Sequence, residues 1–332
     1  MRALLSKTPG PAQTLLVEEV PDPTPGAGQV LIDVKACGVN FPDVLIIEDR
    51  YQSRPPRPFT PGIEVAGVVT MLGPDMTEPG VGQRVVASVR WGGLAEKAVI
   101  DVDACSLIPD FLPFDVAASL VTTYGTSLYA LKERGRLNPG ETLLILGAAG
   151  GVGLAAVELG KTMGARVIAA ASTKAKVDLA LSSGADVGVV YPAGPFDKEG
   201  ARAMATLFRQ ACGTKGWDVV CDAVGGDYTE AAVRASGWGG RLLVIGFPAG
   251  IPRLPLNLAL LKSCEIVGVF WGAAVARDPS LNARMMTELI ALYRRGKIRP
   301  YISERFPLER ASDAIAKLAN RSATGKLVVV MS

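Results

Sequence analysis

Seven residues, Gly147-Ala148-Ala149-Gly150-Gly151-Val152-Gly153, carry the strongest chemical signal in the chain. They stand between an apolar run of strand character, Thr142 to Leu146, and an amphipathic run of helical character, Leu154 to Met163. A tight glycine turn that opens a helix makes an anion site, because backbone N–H groups and the positive helix end converge where no side chain obstructs a phosphate. The chemistry this predicts is the binding of a dinucleotide pyrophosphate.

The end of the next strand predicts which dinucleotide fits. A site for NAD usually places Asp or Glu about 20 residues beyond the glycines, where it accepts hydrogen bonds from the ribose hydroxyls. Here the chain reads Ala169-Ala170-Ala171-Ser172-Thr173-Lys174-Ala175-Lys176, with no carboxylate before Asp178. Hydroxyl and ammonium groups suit a 2′-phosphate, so NADPH is favoured over NADH. Lysines at a helix N-terminus also oppose the helix dipole, which a bound anion would offset.

What the chain lacks is equally informative. It has no histidine, which excludes a Ser-His-Asp triad, a Cys-His pair, a histidine proton relay and any His-containing catalytic zinc site. The cysteines Cys37, Cys105, Cys212, Cys221 and Cys264 show no CxxC spacing, so neither a disulfide framework nor a structural zinc loop is indicated. A net charge of +3 with dispersed basic residues gives no support to nucleic acid or an anionic membrane as partner. The short apolar start and the lack of a spanning-length segment lead to the expectation of a cytoplasmic protein.

The elements that must hold these residues follow from periodicity. Val152, Ala155, Ala156, Leu159 and Met163 share one helical face, Gly164 can supply a left-handed stop, and Arg166 to Ala171 forms the next strand, completing a βαβ unit. Further strands are predicted at Val187 to Tyr191, Trp217 to Asp222, Arg241 to Ile245 and Cys264 to Trp271, with helices at Ala175 to Ser183, near Lys198 to Ala211 and near Asp227 to Ala235. The fold class is therefore α/β, with a doubly wound six-stranded parallel sheet of Rossmann type over residues 122–270. At 332 residues a second domain is expected. Residues 1–121 supply short β-rich runs punctuated by Pro and Gly: Gln29 to Ala36, Gly62 to Leu72, Gln83 to Val89 and Ala95 to Ile100. Residues 271–332, with helices Leu281 to Arg295 and Glu309 to Ala319 and strands near Tyr301 to Phe306 and at Lys326 to Met331, are assigned to that same irregular β domain.

A resemblance emerges from motifs spread along almost the whole chain: CGVNFPD at Cys37 to Asp43, PFTPGIEVAGVV at Pro58 to Val69, VTTYGTSLYAL at Val121 to Leu131, GAAGGVG at Gly147 to Gly153, FWG at Phe270 to Gly272 and NRSATGK at Asn320 to Lys326. In these motifs the chain resembles the medium-chain dehydrogenase/reductase superfamily, and within it the zinc-free NADPH:quinone oxidoreductases related to zeta-crystallin. The resemblance implies a GroES-like catalytic domain beside the Rossmann domain. Asn40 and Ile63 stand where the zinc alcohol dehydrogenases of the superfamily have a Cys and a His, so no metal is implied.

For the cofactor, the resemblance implies that Gly150, Gly151 and Val152 face the pyrophosphate and that Thr126 reaches toward the dinucleotide. It places Ser172, Lys176 and Tyr191 around the 2′-phosphate with Arg321 as an additional cation, and Phe247, Val269, Phe270 and Trp271 beside the nicotinamide. For Phe247 and Trp271 plain packing, and for Tyr191 an ordinary strand-end position, remain open. On the substrate side it implies Asn40, Asp43 and Tyr51, with Asn40 toward an acceptor oxygen or a water. Glu64 reads instead as a structural carboxylate, paired with a cation or a backbone amide.

The implied activity is hydride transfer from NADPH to a quinone, with the protein supplying proximity and orientation. Two alternatives remain open: reduction of a carbon–carbon double bond conjugated to a carbonyl, and a non-catalytic NADPH-binding role as a sensor or crystallin-like protein. An apolar edge strand, Ile266 to Phe270, needs a cover, and the expectation is a homodimer in which two copies pair these strands.

Overall fold

The computed structural model describes residues 1–331. The chain forms two compact units: Met1–Thr122 with Ala274–Ala291 and Pro300–Ser332, and Thr123–Ala273 with Leu292–Arg299.

The first unit is β-rich. β1 (Arg2–Leu5) and β2 (Leu16–Glu19) form an antiparallel pair. The main sheet is organised on β3 (Gln29–Val39), which pairs antiparallel with β4 (Glu64–Leu72), and β4 in turn with β5 (Arg84–Ser88). β6 (Lys97–Asp101) joins the first half of β3, and β7 (Cys105–Leu107) extends the other edge along β5. Register shifts at Leu31/Ile32 and Val34/Ala36 bend β3, which lets one strand serve different partners along its length. Its residues Ile32, Val34, Cys37 and Val39 share a core with Val65, Val85 and Leu94. Immediately after β3 the chain turns into a seven-residue helix, Phe41–Ile47, which the strand-and-turn texture of this region did not predict.

The second unit holds β8 (Thr142–Leu146), β9 (Arg166–Ala171), β10 (Val187–Val190), β11 (Trp217–Asp222), β12 (Ser236–Val244) and β13 (Glu265–Gly268). They form a sheet of order β10-β9-β8-β11-β12-β13 in which every pairing is parallel. The doubly wound α/β architecture predicted from the sequence is therefore present. The order reverses between β8 and β11, and in such sheets the carboxyl ends of the strands at the reversal are where ligands sit. Finally β14 (Ile302–Pro307) and β15 (Lys326–Val330) add to the first unit's sheet, β15 lying antiparallel to the second half of β3.

Three local expectations are corrected. β12 starts at Ser236, five residues before Arg241, because Gly237 and Gly240 let the backbone run close under Trp217; a Cβ on Gly240 would stand 2.5 Å from that indole ring. β13 ends at Gly268 and Trp271 opens a helix, Trp271–Arg277, rather than closing a strand. The helix Gly151–Thr162 also buries Leu154 and Val157, so its apolar surface is wider than the one predicted stripe. No helix among the described residues is long and apolar enough to cross a membrane.

Candidate functional site

The glycine turn links β8 to the helix Gly151–Thr162. Gly147 has φ +71° and Gly164, past the helix end, has φ +82°, the left-handed region that glycine enters without steric cost. At Gly153 a Cβ would meet the Gly147 carbonyl oxygen at 2.2 Å and Ala148 Cα at 2.7 Å, so turn and helix touch backbone to backbone. Gly150 is the N-cap and provides no side-chain hydrogen bond. The first N–H groups of the helix thus have neither an intrahelical partner nor a cap from that residue. Ser127 Oγ donates to the Val152 carbonyl at 2.9 Å and fixes the opening turn. Thr126, its neighbour, is half-buried in a helical segment that continues as wide i→i+5 turns over Tyr129–Arg134.

The parallel register of β9 and β10 pairs Ala171 with Val190, which brings the following residues, Ser172 and Tyr191, side by side at the carboxyl edge. The Tyr191 N–H donates to the Ala171 carbonyl at 3.0 Å. Ser172 is exposed, and Thr173 caps the helix Lys174–Ser182 by accepting the Lys176 N–H at 3.3 Å. Lys176 is half-buried in that first turn. Lys174 instead pairs with Asp178 at 2.7 Å on the surface. Tyr191 is buried, its ring 4.9 Å from Tyr228 and 6.4 Å, edge-on, from Phe208. Burial and neighbouring Tyr228 push its hydroxyl up, against a hydrogen bond from the Gly147 backbone.

The four residues expected beside a nicotinamide separate by exposure. Phe247 and Phe270 are exposed, whereas Val269 and Trp271 are buried. Val269 N–H extends the ladder to Val244 at 3.0 Å. Trp271 packs on Gly125, where a Cβ would stand 2.9 Å from the indole, and on Tyr129 at 5.7 Å. Its structural role is packing. Sequence reasoning missed Asp222, the last residue of β11. It is buried, accepts the Val224 and Gly225 N–H groups at 2.9 Å each and the Thr229 hydroxyl at 2.5 Å, and burial raises its pKa. Its signal was an acid closing an apolar strand just before Gly225-Gly226, the pattern of a carboxylate that ties down a turn.

In the first unit Asn40, Asp43, Glu64 and Lys326 form one buried network. Asp43 Oδ2 accepts the Asn40 N–H at 2.8 Å and Oδ1 accepts the Gly62 N–H at 3.0 Å. Asn40 Nδ2 donates to the Gly38 carbonyl at 2.9 Å and to Glu64 Oε2 at 3.0 Å, while Lys326 Nζ donates to Asn40 Oδ1 at 2.6 Å. Glu64 takes Lys326 at 2.6 Å and the Thr122 N–H at 2.9 Å, the cation and the amide that a structural carboxylate requires. Both amide hydrogens of Asn40 are thus used, and only 4% of the residue is exposed. Tyr51 is half-buried, and burial together with the Asp43 charge raises its pKa. Arg321 is exposed at φ +55° in the turn that follows the helix Ala311–Ala319. No three His, Cys, Asp or Glu side chains converge to hold a metal among the described residues.

A model described as zinc-binding dehydrogenase matches residues 151–290, and one described as alcohol dehydrogenase GroES-like domain matches residues 26–110. Quinone oxidoreductase-like protein 2 of Rattus norvegicus is 35% identical over 319 residues, covering 96% of this chain and 89% of the relative. The chain belongs to the zinc-free quinone oxidoreductase branch of the medium-chain dehydrogenase/reductase superfamily. It is an oxidoreductase of that superfamily. Among solved structures, the Escherichia coli quinone oxidoreductase complexed with NADPH superposes with a TM-score of 0.91 at 25% identity, covering 99% of this chain and all of the other. The Thermus thermophilus quinone oxidoreductase, also solved with NADPH, gives 0.84 at 32% identity with 99% and 100% covered.

Proposed function

We propose that this oxidoreductase transfers a hydride from NADPH to a quinone without a metal ion. The observation that carries the reading is the juxtaposition of Ser172, Lys176 and Tyr191 at the carboxyl ends of β9 and β10, next to an uncapped glycine turn. No acidic side chain precedes Asp178 there, and Asp178 is engaged by Lys174. A 2′-phosphate fits these donors, and a pyrophosphate fits the N–H groups of Gly150, Gly151 and Val152. When bound, the reduced nicotinamide supplies the hydride. Around it the chain does the rest: Lys176 compensates phosphate charge, Gly153 keeps the turn pressed to the helix, and Phe247 and Phe270 offer exposed aromatic surface. On the acceptor side the Asn40–Asp43 segment and Tyr51 serve to orient. The NADPH complexes of the neighbouring quinone oxidoreductases support this assignment.

The test is NADPH oxidation followed with phenanthrenequinone, a benzoquinone and a conjugated enone as acceptors, each repeated with NADH. Turnover of the quinones with preference for NADPH is expected. Turnover of the enone alone would move the function to double-bond reduction, and fluorescence quenching without any consumption would leave only a binding protein.

A homodimer is part of the same proposal. β13 is an edge strand, and Ile266 on it, with Leu256, Leu260 and Leu261 at the start of and on the adjoining helix Asn257–Lys262, is exposed. A second copy pairing antiparallel with β13 would satisfy its backbone and cover that apolar surface. Light scattering at micromolar concentration should give twice the monomer mass; a monomer refutes the pairing.

A further inference from the structure

The five residues after Tyr191, Pro192-Ala193-Gly194-Pro195-Phe196, form no strand or helix. They are held from one side by the start of the helix Asp227–Arg234. Tyr228 Oη donates to the Pro192 carbonyl at 3.1 Å and accepts the Gly194 N–H at 2.9 Å. Asp227 Oδ2 accepts the Phe196 N–H at 3.1 Å. The Tyr228 ring fills the space between Tyr191, at 4.9 Å, and Phe196, whose ring stands edge-on at 5.1 Å. Hydroxyls of buried tyrosines need partners, and this one finds both on the backbone of a single loop.

The loop begins directly after Tyr191, which the β9–β10 register sets beside Ser172. Ser172 and Tyr191 are two of the residues assigned above to the 2′-phosphate, the one group that separates NADPH from NADH. We infer that Tyr228, with Asp227 in support, is a positioning residue for that discrimination: it pins the Pro192–Phe196 loop and so fixes Tyr191 against Ser172. The inference rests on the NADPH reading, and nothing in it requires Tyr228 to touch the cofactor. Because a dinucleotide lacking the 2′-phosphate does not use this corner, its binding should not depend on the clamp.

The experiment compares wild-type protein, Tyr228→Phe and Asp227→Ala, measuring KM and kcat for NADPH and for NADH with the best quinone acceptor. Tyr228→Phe keeps the ring packing and removes only the hydroxyl, so a folded protein is expected, and Asp227→Ala alters an independent contact to the same loop. Loss of a loop hydrogen bond should raise KM for NADPH roughly two- to tenfold, leaving KM for NADH and both kcat values within twofold. An equal rise for both cofactors, or a rise for neither in either variant, overturns the inference while leaving the NADPH assignment intact. A wild-type enzyme with no preference for NADPH overturns the assignment itself, and the inference with it.

Discussion

Lys326 Nζ lies 2.6 Å from Glu64 Oε2 with 5% and 0% of the two side chains exposed, which makes this a fully internal ion pair. It joins β15 to β4 across β3, strands drawn from opposite ends of the sequence. Room for it comes from Gly38 on β3, where a Cβ would stand 2.7 Å from both Glu64 Oε2 and Lys326 Cε. Asn40 completes the arrangement by accepting from the lysine and donating to the carboxylate. Two desolvated charges are tolerated because each also has neutral partners, the Thr122 N–H and the Asn40 amide.

Removing one member should therefore expose the cost of the other. Lys326→Met leaves Glu64 charged and unpaired in the interior, and a loss of about 3–5 kcal/mol is expected in urea unfolding. Lys326→Met combined with Glu64→Gln should recover a substantial part of that loss, since a glutamine oxygen can still accept the Thr122 N–H. If the double variant is no more stable than Lys326→Met, the buried charge is not the cause.

Asp43 gives a pH dependence of definite sign. Burial raises its pKa to about 7 despite the Asn40 and Gly62 N–H donors and nearby Lys326, whereas in the unfolded chain an aspartate titrates near about 4. The folded state holds the extra proton between those values. Stability from this group is thus fully present below about pH 4 and is lost as pH rises through about 7. The melting temperature should fall across that window, and the slope should flatten in Asp43→Asn, whatever that variant's absolute stability. An unchanged slope would assign the dependence to another group.

Lys176 tests the phosphate corner from the charged side. Lys176→Gln keeps an unbranched polar side chain, one atom shorter, in the first helical turn but removes the cation. The expected result is a rise in KM for NADPH of roughly tenfold or more, the scale of a charged hydrogen bond, with little change for NADH. Equal effects on both cofactors would take Lys176 out of the phosphate site.

Residues whose partners are near in sequence were the legible ones. The turn Gly147–Gly153, the strand Trp217–Asp222 and the stop at Gly164 follow from periodicity and backbone sterics, which a short window records. The Asn40–Glu64–Lys326 network was hidden for the opposite reason. Nothing beside Lys326 in the sequence marks it as internal, and only the β3–β15 pairing reveals that it is. The helix Phe41–Ile47 was obscured by its length and by Pro42, although Asn40 and Asp43 supply the start signal. Trp271 was drawn into a strand by its apolar neighbours, while the space left at Gly125, distant in sequence, decides its position.

Two glycines of one turn should separate folding from binding. At Gly153 an added Cβ meets backbone atoms at 2.2 and 2.7 Å, which cannot yield without parting turn and helix. Gly153→Ala is expected to cost roughly 1–3 kcal/mol of stability, the range for overpacking a tight contact, and to weaken NADPH binding as a consequence. At Gly150 the nearest atom to an added Cβ is the Gly147 oxygen at 3.5 Å, an ordinary contact, and the backbone there is extended with φ −79°. Gly150→Ala should therefore fold with a melting temperature close to that of the wild type. On the proposed cofactor site its methyl group would stand where a pyrophosphate approaches the helix N-terminus, so NADPH affinity measured by fluorescence quenching should drop severalfold with no loss of stability. A Gly150→Ala protein that binds NADPH normally would mean that the phosphates lie elsewhere, and the cofactor site assigned to this turn would have to be moved.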